Sequence, residues 1–123
     1  MGKARPLAER DIPQIIELNT RLFPGSAGLP YDVQEKLFRG ICFENPWYDG
    51  DITSLVYEEN DGKIVGFLGV VPRKMTLNGR ELRVAVCQHM MVDRAALASM
   101  QLFKKMMEGP QDYSMADMSV EVT

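Results

Sequence analysis

The stretch LVYEENDGKIVGFLGVVPRKMTLNGRELRVAVCQHMMV, residues 55–92, decides the fold. It contains three apolar runs separated by two turn signals. The first run, Ser54–Glu59, carries Leu55, Val56 and Tyr57 and closes in the Gly-containing turn Asn60-Asp61-Gly62-Lys63. The second, Ile64–Val71, is almost continuously apolar, as expected of a strand covered on both faces. Leu77-Asn78-Gly79-Arg80 follows, and Asn-Gly between apolar runs is the strongest short hairpin signal. The third run, Leu82–Val92, alternates. Leu82, Val84, Val86, Gln88, Met90 and Val92 fall on one face, and Arg83, Ala85, Cys87, His89 and Met91 on the other. The stretch reads as an antiparallel meander.

Upstream, residues 4–8 suit a short first strand. Asp11-Ile12-Pro13-Gln14 then reads as a helix start, with Asp11 as N-cap for the Gln14 amide, Pro13 in the first turn and Gln14 at the capping-box position. Ile12, Ile15, Ile16, Leu22 and Phe23 give this helix its apolar face. The Gly/Pro-rich residues Pro24–Pro30 form a loop. A second helix is predicted from about Asp32 to Ile41, with Val33, Leu37, Phe38 and Ile41 inward. Asn45–Gly50, holding Trp47 and Tyr48, reads as an irregular loop. Downstream, a helix is expected over Arg94–Glu108, stopped by Gly109-Pro110, and a last strand over Tyr113–Val122. The order β-α-α-β-β-β-α-β defines an α+β domain, a meander followed by one βαβ crossover, with the chemistry expected near the crossover.

The 123 residues suit a single domain, 1–123. The net charge of −3 and the scattered basic residues argue against nucleic acid as a partner. The two cysteines, Cys42 and Cys87, form no CxxC pair and accompany a single histidine, so no metal site is expected and both thiols are expected to be reduced. No apolar run approaches the ~18 residues of a membrane span. The opening residues lack the apolar core of a secretory signal, and Pro6 breaks the myristoylation pattern. These features lead to an expectation of a cytoplasmic protein with no membrane partner.

Ala4-Arg5-Pro6-Leu7-Ala8-Glu9-Arg10-Asp11-Ile12-Pro13, the meander Leu55–Val70 and Met90-Met91-Val92-Asp93-Arg94 together resemble the Gcn5-related N-acetyltransferase (GNAT) superfamily over roughly residues 4–122. The resemblance implies an acyl-CoA N-acyltransferase-like mixed sheet. It also implies transfer of an acetyl or longer acyl group from acetyl-CoA or another acyl-CoA to a small-molecule or peptide amine. Met90, Met91 and Val92 would then face the pantetheine arm, which extends the sheet along the fourth strand. Arg94, Ala95, Ala96, Leu97, Ala98 and Ser99 would hold the diphosphate at the next helix N-terminus. The family's loop carries glycines, whereas Asp93–Met100 carries none, its small residues being alanine and serine. Relatives continue beyond the fifth strand with a helix and two strands. The expectation is therefore a C-terminally incomplete domain, a fragment of a longer enzyme, with a last strand open to a homodimer partner.

His89, on the fourth strand, is the candidate general base, and Glu81, at the start of that strand, is a second. The plainer readings are a half-buried strand histidine with a satisfied hydrogen bond and a solvated turn carboxylate. Cys87 lacks a cationic neighbour in sequence to activate it. The methionines of the C-terminal third suit core filling or an adaptable pocket. Trp47, Tyr48 and Asp117 are candidates to border the acceptor. Two other classes remain open, a non-catalytic acyl-CoA-binding domain and an interaction module pairing through its sheet edge.

Overall fold

Asn78 and Gly79 both hold positive φ, 53° and 78°, the turn geometry that matches the twist of flanking strands. The strands they join are longer than the apolar pattern predicts. The computed structural model describes residues 2–22, 29–46, 50–93 and 96–116. In it β3 spans Ile64–Leu77 and β4 spans Arg80–Val92. Cross-strand pairing from Arg73↔Val84 to Leu77↔Arg80 extends the hairpin, and Arg73–Leu77 stay exposed while Leu82 and Val84 opposite them are buried.

With β1 (Lys3–Pro6), β2 (Leu55–Glu58) and β5 (Tyr113–Ala116) the described residues form a five-stranded sheet, order β1-β2-β3-β4-β5. All pairings are antiparallel except β4 with β5, which is parallel. The helices α1 (Ile12–Leu22) and α2 (Tyr31–Cys42) cover one face, and α3 (Ala96–Met107), the crossover helix, covers the other. This is the α+β order expected from the meander.

Each face carries its own core. Ile12, Ile15, Ile16 and Leu18 of α1 and Phe38 and Cys42 of α2 pack on Val56, Ile64, Phe67 and Met91. The Phe38 ring meets Phe67 edge-on, centroids 5.9 Å apart, a geometry favoured by the ring quadrupoles. On the opposite face Ala98, Leu102 and Met106 of α3 pack on Leu55, Tyr57, Val65, Leu68, Val70, Ala85 and Cys87. Cys42 and Cys87 are free, buried and on opposite sides of the sheet. Burial pushes the Cys42 thiol up to about 11, against a hydrogen bond with Ser54, and burial raises Cys87 as well.

Two expectations change at the helices. In α2 the buried residues are Gln34, Phe38 and Cys42, while Val33 and Leu37 are 46% and 52% exposed. Gln34 explains the rotation. Its carboxamide accepts from Asn19 Nδ2 at 3.2 Å and donates to the Leu29 carbonyl at 3.1 Å. This satisfied polar pair between α1 and α2 turns inward a face that apolar spacing alone does not select. The second change concerns Asp11. It lies in a short 3-10 turn, Glu9–Asp11, and does not cap the Gln14 amide. Its carboxylate accepts two hydrogen bonds from Arg5, at 2.8 and 2.9 Å, and one from the Ala8 N–H at 2.8 Å. Gln14 serves the β2–β3 turn instead, accepting from the Ile64 N–H at 2.9 Å and donating to the Gly62 carbonyl at 3.3 Å.

Arg5 also reaches Glu58 on the neighbouring strand at 3.2 Å, so one guanidinium ties β1 to β2 and to the start of α1. Burial by itself raises the Asp11 carboxyl, but the Arg5 bonds, the Ala8 N–H and the nearby positive charges outweigh it, and the group titrates below its ordinary value. Glu58 is lowered chiefly by its hydrogen bond to Arg5. A depressed carboxyl stabilises the fold above its unfolded pKa and loses that contribution as pH falls through the folded value. Urea midpoints measured from pH 7 downward are therefore expected to fall below about pH 4. Asp11→Asn is expected to cost about 2 kcal/mol at neutral pH and to flatten that acid limb.

Candidate functional site

Along the β3–β4 ladder the register holds from Leu77↔Arg80 to Gly69↔Gln88 and resumes at Leu68↔Met90. One residue on β4, His89, has no opposite number on β3. It is the extra residue of a β-bulge, which bends its strand and increases the local twist. Alternation therefore reverses there. Ala85 and Cys87 face α3, and beyond the bulge so do Met90 and Val92, while Met91 packs with α1 and α2. The continuous alternation read from the sequence is correct up to Cys87 and inverted from Met90 onward, because one inserted residue shifts a period of two by half a cycle.

Gly69 makes the bulge possible. A Cβ on Gly69 would run into the Gln88 carbonyl oxygen, far inside van der Waals contact, and would crowd the Phe67 ring. The local departure from the ladder turns that carbonyl onto the β3 backbone, where only glycine leaves room.

The bulge lies just past the described pairing of β4 with β5. β5 pairs with β4 only from Val84↔Tyr113 to Cys87↔Ala116. From Gln88 to Val92 the β4 edge on that side has no strand partner among the described residues. β4 ends at Val92, and the Asp93 N–H bonds the Val65 carbonyl at 2.9 Å. The Asp93 carboxylate pairs with Arg21 of α1 at 3.1 Å. Three residues later α3 begins, with no acidic residue in its first turn. The end of β4 is thus followed within a few residues by a helix N-terminus, and amide donors at such an end favour an anion.

The residues expected to hold a cofactor divide around this geometry. Met90, Val92 and Ser99 are partly accessible. The side chains of Met91 and Ala98 are core residues on opposite faces, so these two present only backbone to a ligand. Ala96 and Leu97 are the first two residues of α3. Arg94 and Ala95 lie outside the described residues, as do Trp47, Tyr48 and Asp117.

The two expected catalytic groups are not brought together. His89 stands at the bulge. Glu81 lies at the base of the hairpin tip, about 25 Å along β4 at the usual strand rise. It is 66% exposed and faces Lys74 Nζ at 3.6 Å. The hairpin extends beyond the core and takes Glu81 with it. Cys87 is buried under α3, its pKa raised by that burial. Met100 and Met107 are exposed rather than core residues, and Met106 fills the core between them. Two clefts elsewhere, of about 250 Å³ beside Val70, Ala85 and Met106 and about 270 Å³ between β1 and α3, contain none of the expected site residues.

No protein-family profile matches the chain, and neither does any curated protein sequence. Solved structures do. Glucosamine-6-phosphate N-acetyltransferase from Arabidopsis thaliana superposes with a TM-score of 0.70 at 22% identity, over 98% of this chain and 84% of its own. The fold is that of the GNAT acetyltransferases. An acetyltransferase from Trypanosoma brucei, at 21% identity and a TM-score of 0.66, matches 97% of this chain and 84% of its own. An aminoglycoside N-acetyltransferase in complex with CoA matches 97% of this chain and 78% of its own, at 18% identity and a TM-score of 0.67. At these identities the likeness is one of the acetyltransferase fold. Among the described residues no helix is long and apolar enough to cross a membrane.

The sequence alone does not reveal Gly69's role, the bulge or the Arg21–Asp93 pair. The one available signal was the polar couple Gln88-His89 interrupting an otherwise apolar strand opposite Gly69. Gly69→Ala is expected to lower stability by about 2 kcal/mol, the scale of an overpacked core position. It is also expected to speed hydrogen exchange at the Gln88–Met90 amides, read by urea unfolding and NMR.

Proposed function

We propose that this domain transfers an acyl group from acyl-coenzyme A to an amine. The observation that carries the reading is the β-bulge at His89, a few residues ahead of an α3 first turn without acidic residues. Acetyltransferases of the same fold support it, one of them in complex with CoA.

The chain's own groups suit each part of the reaction. Backbone of Gln88–Val92 pairs with the pantetheine amides as an added strand would. The first amides of α3 receive the diphosphate, and the small residues Ala96 and Ser99 leave its approach open. When the amine attacks the thioester carbonyl, negative charge develops on oxygen, and a backbone amide at the bulge is the proposed donor to it. The C–N bond forms, the C–S bond breaks, the amine proton passes to a base and the thiolate is reprotonated. His89, at the bulge, is the proposed base, and Glu81, about 25 Å away along β4, is not assigned a share of the role. The intracellular setting of acyl-coenzyme A agrees with an expected cytoplasmic location.

A second reading is an interaction module or homodimer pairing through β5, favoured by the exposure of Tyr113 and Met115 on that strand. Sedimentation over a concentration series tests it, and a monomer throughout counts against it. For the main reading, isothermal titration with acetyl-CoA and longer acyl-CoA is expected to give micromolar binding. A folded sample that takes up neither removes the proposal. With an accepting amine in hand, His89→Ala is expected to lower kcat about 100-fold, the scale of a general base, with KM for acyl-CoA little changed.

A further inference from the structure

Between Glu81 and Glu108 the chain has a single acidic residue, Asp93, and it lies three residues ahead of α3. A carboxylate there is poorly placed if the first amides of α3 receive a diphosphate, since like charges at close range oppose binding. The fold does not leave this carboxylate uncompensated. Asp93 is fixed by its N–H to the Val65 carbonyl, and its carboxylate meets Arg21 Nη2 at 3.1 Å. Arg21 comes from the last turn of α1, on the opposite side of the sheet from α3. A cation at that turn also complements the helix's own C-terminal dipole.

We propose that Arg21 is a charge-neutralising positioning residue for cofactor binding. It holds the Asp93 carboxylate against α1 and cancels its charge, so that the N-terminus of α3 presents a net positive field to the diphosphate. The inference rests on the acyl-coenzyme A reading above. It assigns a binding role to a residue of the helix pair that never touches the cofactor. A mere mechanical tether between α1 and β4 predicts something different, because removing both members of the pair would leave the tether broken.

The test is isothermal titration of the full chain with coenzyme A, with circular dichroism to establish that each variant is folded. Arg21→Gln removes the Arg21 charge from beside Asp93 and is expected to weaken binding about three- to tenfold, given the partial exposure of both groups. Arg21→Lys is expected to stay within about twofold of the wild type, since the charge is kept. The double variant Arg21→Gln/Asp93→Asn is expected to recover wild-type affinity within about twofold, because the opposing charge is gone. Wild-type affinity in Arg21→Gln overturns the proposal and leaves the acyl-coenzyme A reading intact. A double variant as weak as Arg21→Gln also overturns it, in favour of the tether. If the folded wild type takes up no coenzyme A, both fall.

Discussion

One extra residue in β4 sets the geometry of everything downstream of it. His89 has no opposite number on β3, and Gly69 is the residue across the ladder that tolerates the displaced Gln88 carbonyl. Beyond it β4 runs on to Val92, and α3 begins at Ala96. A β-sheet seldom leaves unpaired backbone in its interior, since each orphaned amide or carbonyl costs free energy unless something pairs with it. The irregularity is thus informative in itself: it marks where the ladder departs from regular pairing.

Around that point the molecule is conservative. Two helical layers close the two faces of the sheet, and the polar groups within them are matched. Arg5 serves Asp11 and Glu58 together, Gln14 closes the β2–β3 turn, and Gln34 with Asn19 locks α1 to α2. Among the described residues no buried side-chain nitrogen or oxygen lacks a hydrogen-bond partner. A rigid surround of this kind lets a single departure from regular pairing persist at a defined place.

The element order, the Asn-Gly hairpin and the position of the crossover were legible because local chemistry decides them. Turn residues, apolar runs and helix stops act within a few positions of one another. What sequence reasoning missed depends on contacts distant along the chain. Asp11 is an ordinary N-cap until Arg5 is seen beside it. Val33 and Leu37 look like core until Asn19 takes Gln34. The bulge needs Gly69 and His89, twenty residues apart, to be read as one feature. Glu81 was misplaced for a related reason, since nothing in its neighbourhood reveals how far the hairpin projects beyond the core. The candidate site was legible as a strand-to-helix junction, but its backbone geometry was not.

The two thiols lie on opposite faces of the sheet, Cys42 on the inward side of α2 and Cys87 on β4 under α3. No rearrangement short of unfolding brings them together through the sheet, so oxidation has no intramolecular route that keeps the fold. Each thiol is instead a native reporter of one layer. The rate at which a small alkylating reagent finds Cys42 measures how often the helix pair lifts, and the rate at Cys87 measures the same for the crossover helix. The molecule thus carries a separate built-in gauge of local opening on each side of its sheet.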